Sequence, residues 1–362
     1  MPLLKSLADP RGLSGKVQTV LGLVEPGDLG VTLPHEHLLI DLRCYLELPT
    51  EASQWAYVNV PLSVEMLGRL PEIWNKNLDN LILSDVELAI RELSLFKQTG
   101  GDSLVDTTSA NIGRDPLALA RIARATGVHV IMGAGYYVPK SHPPDMDTRS
   151  EESIAGEMIR DVIRGVGETH IRAGIIGEIG CAWPLGANEI KVLRAAGHAH
   201  RETGVPITIH PGLNEQAPFA IMDVLDSAGV AARHVTMGHL GPRIEDLAVL
   251  KDFAARGCFL GYDNFGFEDS GYDFPYTTGK RVTRVSDVQR LDRIQFLVEQ
   301  GFLTQVLISQ DISQKWQLTR YGGKGYAHVL NSILPRMRRR GFTETQLETI
   351  FVDNPARSVT FR

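Results

Sequence analysis

Residues 173–210 read AGIIGEIGCAWPLGANEIKVLRAAGHAHRETGVPITIH. Two short β-rich runs, Ala173 to Glu178 and Pro206 to His210, enclose a longer helical pattern from Glu189 to Thr203. Strand, helix and strand at this spacing mark a βαβ unit of a parallel sheet. Outward from this stretch the alternation repeats. The other candidate strands are Thr32 to Leu38, Ser103 to Thr107, His129 to Met132, His234 to His239, Cys258 to Tyr262 and Gln305 to Gln310. Eight such strands with helices between them close most naturally as a (β/α)8 TIM barrel, an α/β fold.

The helices carry their own punctuation. Ser84 and Asp85 precede VELAIRELSLFKQT, which stops at Gly100-Gly101, and Asp115-Pro116 opens LALARIARAT, which Gly127 ends. Ile244 to Ala255, Val285 to Glu299 and Thr343 to Ile350 complete the clear set. At the N-terminus, Lys16 to Val24 alternates apolar and polar residues before the turn Glu25-Pro-Gly-Asp-Leu-Gly30, which predicts a short β-hairpin across the barrel's bottom. The expected organisation is one domain over residues 1–362, with the hairpin in 1–30 and the barrel in 31–362. Two connections are long: 43–80, with Tyr45, Trp55, Tyr57 and Trp74, and 263–284. Long loops inside compact domains are more often functional than accidental.

With 43% hydrophobic and 22% charged residues the chain can bury a large core, and a formal charge of −6 with no long basic run argues against nucleic acid as a partner. Arg336, Arg338, Arg339 and Arg340 read as the solvated last turn of a helix, where cations complement the dipole. Cys44, Cys181 and Cys258 are odd in number and lack a CxxC pair, so a reducing cytoplasm is expected rather than a disulfide framework. No apolar run is long enough for a secretory signal or a membrane span. The expectation is a soluble protein with a small-molecule partner and no membrane.

Chemistry concentrates at the strand ends. In Pro34-His35-Glu36-His37-Leu38 the histidines are two apart, so on a strand both imidazoles share a face while Glu36 points away, toward the barrel's other side. Glu178, His210 and His239 end their apolar runs, and Asp311 follows Val306-Leu-Ile-Ser-Gln. In a barrel these positions open on one face. A lone His210 or His239 would read as a core histidine, but six metal-capable groups at one rim point to a metal site. Imidazole with carboxylate suits zinc, with manganese, cobalt or iron as alternatives. His198 and His200 lie in a helical stretch, where residues two apart do not face together, and carry no such signal.

The motifs SGKVQTVLGLVEPGDLG, LPHEHL, GIIGEIGCAWPL, HPG after strand five, GHLGPR after strand six and YGGKGYAH after strand eight span essentially the whole chain. Together they resemble the phosphotriesterase-related, or resiniferatoxin-binding, branch of the phosphotriesterase family in the amidohydrolase superfamily. The resemblance implies two divalent metal ions, His35, His37 and Asp311 holding the more buried one and His210 and His239 the more exposed one, with a hydroxide between them. Glu178 stands where the phosphotriesterases carry a carbamylated lysine as the bridge, so weak triester hydrolysis at most is expected. The resemblance also implies amide, ester or lactone substrates and a homodimer.

Asp311 is expected to take the proton of the attacking hydroxide and pass it to the leaving group. Loop residues supply the default lining of the substrate pocket: Tyr136 and Tyr137, Trp183, Arg243, Asn264 and Phe265, Tyr326 and His328. Arg243 and Lys324 would suit an anionic substrate. The competing reading is a binding protein of the resiniferatoxin type without turnover; a complete ligand set with Asp311 favours catalysis, since a binder needs no such pair.

Overall fold

In the computed structural model the described residues are 12–69, 74–267, 273–275, 281–283 and 285–362. The expected strands form one parallel eight-stranded sheet in sequential order: β1 (Thr32–Glu36), β2 (Ser103–Asp106), β3 (His129–Ala134), β4 (Ile175–Gly180), β5 (Ile207–His210), β6 (Val235–Met237), β7 (Phe259–Tyr262) and β8 (Val306–Ile308). Helices surround this nearly closed (β/α)8 barrel. At the seam between β8 and β1, the Asp311 N–H donates to the His35 carbonyl at 3.3 Å and the His35 N–H donates to Ser309 Oγ at 3.2 Å.

Helix α1 (Val86–Gln98) starts where Asp85 accepts from the Leu88 N–H, and α2 (Pro116–Thr126) where Asp115 accepts from the Ala118 N–H. Gly127 ends α2 in the left-handed region. Helix α3 (Glu151–Ile163), not expected from the sequence, contains Gly156 and follows a proline-rich turn. Helix α4 (Ala187–Thr203) matches expectation, and α5 (Ala217–Ser227), where Gln216 supplies no capping side chain, is unexpected. Both α6 (Leu247–Ala254) and α7 (Asp287–Glu299) begin a few residues later than expected, at Asp246 and Ser286, whose side chains accept from the first turn. The arginine cluster does close a helix, Leu334–Arg339, and Arg338 pairs with Glu344 at the surface. Only Glu344–Glu348 of the expected last helix is regular α; a wider turn, Thr349–Asp353, follows.

The N-terminal hairpin pairs Val17–Thr19 with Gly22–Val24, and Val20 N–H donates to the Val130 carbonyl at the foot of β3. Val17 and Leu29 pack there against Val105, Ile131 and Ile175, plugging the end opposite the strand termini that matter for chemistry. On that other end the loop after β1 is gathered by a two-residue ribbon, Ile40–Asp41 with Ile82–Leu83, and by buried Asn77 and Asn80. Of the expected connection 263–284, the pair Asp273–Pro275 with Arg281–Thr283 forms an antiparallel ribbon, and part of the rest lies outside the described residues.

Candidate active site

The two histidines of β1 and its exit converge on one carboxylate from β4. Glu178 Oε1 lies 3.5 Å from His37 Nε2, and Oε2 lies 3.3 Å from each of His35 Nε2, His210 Nδ1 and His239 Nε2. Glu178 does not end β4 as expected, for the strand runs on to Gly180 with a register shift between Ile176 and Ile179. Gly177 makes that irregularity: its φ is +131°, and a Cβ there would lie 2.2 Å from the Thr208 carbonyl oxygen, so only glycine lets the next side chain turn inward. From the turn after β8, Asp311 Oδ1 reaches to 3.4 Å of His37 Nε2 and 3.8 Å of His35 Nε2. All six expected ligands therefore meet at one point of the barrel's rim.

Their rings are fixed from behind. The Thr108 hydroxyl donates to the Leu39 carbonyl, so it accepts the Nδ1 proton of His37 at 2.9 Å and leaves Nε2 as the ring nitrogen that faces the centre. Asp263, just past β7, does the same for His239: its carboxylate accepts from the backbone N–H at 3.0 Å and from Nδ1 at 2.8 Å. Its other oxygen sits 3.3 Å from His35 Nδ1. Neither Thr108 nor Asp263 was named from the sequence. For Asp263 there is a signal, an acid directly after the apolar run Phe259–Tyr262, closer to its strand than Asp311 is to Val306–Ile308. His239 and Asp311 both adopt left-handed backbone, φ 56° and 54°, which is uncommon for such residues and clusters at functional sites.

The electrostatics draw positive charge inward. Burial opposes ionisation of Glu178, but His35 and His210 outweigh it and hold the carboxyl well below its usual range. Burial likewise pushes Asp263 up, yet His239 and His35 bring it to about 2. Against their own desolvation, His239 is raised to about 10 by Asp263 and His37 to about 10 by Asp311 and Glu178. His210, more governed by burial, falls to about 4. Two overlapping clusters, His35–His37–Asp311 and His35–Glu178–His239, have donor atoms within 4.8 Å of one another. Both ring nitrogens of His35 are buried without a hydrogen-bond partner. Orphaned imidazole nitrogens beside shared carboxylates fit divalent cations of the zinc type.

The Phosphotriesterase family model matches residues 15–359. The chain belongs to the phosphotriesterase family. The human protein named N-acetyltaurine hydrolase is 41% identical over 351 residues, covering 97% of this chain and 99% of that one. Its Dictyostelium discoideum counterpart of the same name is 38% identical over 366 residues, covering 96% and 98%. Among solved structures, a resiniferatoxin-binding protein from Rhodobacter sphaeroides superposes with a TM-score of 0.89 at 38% identity, over 95% of each chain. This member of the phosphotriesterase family is a hydrolase.

Around the centre of this phosphotriesterase-family enzyme, the expected pocket residues divide. Asn264 Nδ2 donates to Asp311 Oδ2 at 3.1 Å, and Arg243 is buried with its Nε donating to the Pro211 carbonyl at 3.2 Å, one residue past His210. Trp183 is half-buried on the loop after β4. Two expectations need correction. Tyr136 turns away from the centre, its hydroxyl bound to Glu157 and Arg149, because its neighbour Tyr137 takes the inward position. Tyr326 is 1% exposed and donates to the His37 carbonyl at 2.6 Å, so it buttresses the β1 exit and does not line an open cleft. Tyr137 is the aromatic at the centre: its hydroxyl lies 3.3 Å from His210 Nδ1 and 3.3 Å from the Tyr45 hydroxyl. Glu36 is also corrected. Far from pointing to the barrel's other side, it is fully buried against the turn that carries Asp311.

Proposed function

We propose that this phosphotriesterase-family hydrolase cleaves the amide bond of small N-acyl compounds of the N-acetyltaurine type at a two-metal site. The observation that carries the reading is Glu178, one carboxylate within 3.5 Å of four imidazoles. His35, His37 and Asp311 would hold one cation, His210 and His239 the other, and Glu178 both. Bound there, two cations of the zinc type would acidify a water and polarise the scissile carbonyl.

The chain's own residues do the rest. Asp311, fixed by Asn264 at 3.1 Å, accepts the proton of the attacking water and returns it to the departing amide nitrogen. Tyr137, buried beside His210, offers its hydroxyl proton toward the carbonyl oxygen as that oxygen gains charge. Arg243, one of the buried cations, faces the anionic end of the substrate, sulfonate or carboxylate. The relatives named N-acetyltaurine hydrolase support cleavage of an amide over a triester. The free, buried thiols of Cys181 and Cys258 support a reducing cytoplasm as the working compartment, and the whole chain acts as one catalytic unit, with a homodimer as the proposed assembly.

The test measures bound metal by inductively coupled plasma mass spectrometry, and taurine released from N-acetyltaurine, for the wild type and Glu178→Ala. The reading expects about two metals per chain, falling sharply in the variant together with turnover. No metal bound or taken up would move a binding protein without turnover to first place. Metal with cleavage of a phosphotriester or lactone and none of the amide would overturn the substrate class alone.

A further inference from the structure

Glu36 lies between the two histidines in the chain, and its side chain makes contacts that neither histidine makes. Oε1 accepts from the Ser309 hydroxyl at 2.7 Å and from the Gln310 N–H at 2.7 Å, while Oε2 accepts from the Ile312 N–H at 2.8 Å. The carboxylate thus grips the backbone on both sides of Asp311. Ser309 closes the ring by accepting the His35 N–H at 3.2 Å, and the Asp311 N–H returns to the His35 carbonyl at 3.3 Å. This is the seam where β1 and β8 share no regular ladder among the described residues.

An acceptor-only group is what this place demands, because three donors converge on it and none of its lone pairs faces another acceptor in the bonds described. A carboxylate accepting two backbone N–H groups and a hydroxyl also makes a stiff, two-pronged link. The link holds Asp311 in its left-handed backbone, φ 54°, a conformation that persists only when its surroundings over-determine it.

We infer that Glu36 is a positioning residue that sets the distance between the His35/His37 pair and Asp311, and so governs both the hold on the buried cation and proton transfer by Asp311. The inference rests on the two-metal reading above and adds to it the element that assembles one half of the site. It makes β1 and its exit a source of three functional groups, two that would hold the metal and one that fixes Asp311.

The experiment uses Glu36→Gln, Ser309→Ala, Asp311→Asn and the double variant Glu36→Gln/Asp311→Asn, each loaded with Co2+ alone. A Gln amide would set an N–H against the Ile312 N–H or the Ser309–Gln310 pair, so it breaks one prong and keeps the volume. Expected in Glu36→Gln are a changed visible cobalt spectrum, cobalt affinity lower by about 10- to 100-fold, and a fall in kcat on N-acetyltaurine with KM little altered. In the Asp311→Asn background at saturating cobalt, Glu36→Gln should cost almost nothing more in kcat, because the proton transfer it serves is already lost, while cobalt affinity should still fall.

Additive losses in kcat, or a lowered Tm with unchanged cobalt affinity, spectrum and kcat, would overturn the inference and leave Glu36 a structural staple. Should Glu36→Gln fail to fold, Ser309→Ala decides: a smaller change in the same direction supports the inference, and wild-type cobalt affinity and kcat overturn it. A wild type that binds no cobalt removes the two-metal reading itself, an outcome distinct from the variants binding cobalt as the wild type does.

Discussion

Asp263 Oδ1 lies 2.8 Å from His239 Nδ1, and the same carboxylate accepts the His239 backbone N–H at 3.0 Å. Side chain and main chain of one residue are thus held by one acid, which fixes the ring's tautomer and turns Nε2 toward Glu178. Its second oxygen lies 3.3 Å from His35 Nδ1, close enough to attract that ring by charge though not to hydrogen-bond it. Asp263→Ala should therefore weaken metal binding by about 10- to 100-fold, the range for loss of a carboxylate behind a metal-bound histidine. Competition with a chelator of known affinity measures it. Binding within twofold of wild type would show that the rings hold their places unaided.

Asp311 has a different burden. Asp311→Asn keeps a ligand oxygen and the size of the side chain but loses the basic oxygen that faces His37 at 3.4 Å. Much of the metal should stay while kcat on N-acetyltaurine falls by about 100-fold or more, the scale for a positioned general base. Near-full activity would assign the proton to another group.

How much of this was legible from the sequence depends on the distance over which each residue acts. The eight strands are readable because apolar runs, helix caps and glycine stops are local signals, and the candidate ligands stand at or near the ends of those runs. Glu178 was found for that reason, although the inward turn itself depends on Gly177 and the facing Thr208 carbonyl, which no local pattern reveals. Glu36 was misread because strand alternation says only which way it leaves the metal face; the donors of Ser309, Gln310 and Ile312 arrive from the other end of the chain. Between Tyr136 and Tyr137, adjacent and identical in type, only Glu157 and Arg149 decide which turns outward. The unexpected α5 shows the same limit, since Gln216 offers its first turn no capping side chain, whereas α3 has a local start signal in Ser150, which accepts from the Ser153 N–H.

Tyr137→Phe removes one hydroxyl, 3.3 Å from His210 Nδ1, and no volume to speak of. If the phenol serves the developing oxyanion, kcat should fall about 100-fold, as on loss of one such donor, with metal content unchanged. Tyr45→Phe, one step further out at 3.3 Å from the Tyr137 hydroxyl, should cost much less. Equal kcat for wild type and Tyr137→Phe would place the donor elsewhere.

At the barrel's far end His200 and His234 pack with ring centroids 5.1 Å apart, and each has a buried Nε2 without a partner. Burial lowers both: His234 falls to about 4 with the His200 ring and then nearby arginines adding to it, and His200 falls with nearby arginines against the Val205 carbonyl, which raises it. Above the ordinary histidine range both rings are neutral in folded and unfolded chain alike, and no stability is at stake. Between about 6.5 and 4 the unfolded chain takes up protons that the fold refuses, so stability drops as pH falls. His234→Gln should flatten the decline of Tm from pH 7 to pH 5. An unchanged slope would assign the acid sensitivity to other groups.

Arg243 tests what the substrate's tail is. Its guanidinium, buried beside the Pro211 carbonyl, is felt by the His210 ring and the Tyr45 phenol, so it stands on the side of the site where the more exposed cation would lie. A substrate whose carbonyl meets that cation and whose anion lies two carbons beyond the amide nitrogen could reach the guanidinium. N-acetyltaurine has that form, and N-acetylethanolamine replaces its sulfonate with a neutral hydroxyl. A hydrogen bond between charged groups contributes about 1.5–3 kcal/mol, so the wild type should favour the sulfonate by about 10- to 100-fold in kcat/KM. Arg243→Gln should erase most of that preference by losing the anionic substrate and sparing the neutral one, with Tm followed in parallel because a buried arginine also packs. Arg243→Lys should recover only part of it, since a point charge does not reproduce the planar fork. If instead Arg243→Gln lowers kcat/KM equally for both substrates, the residue supports the site's structure and the anion is read by another cation.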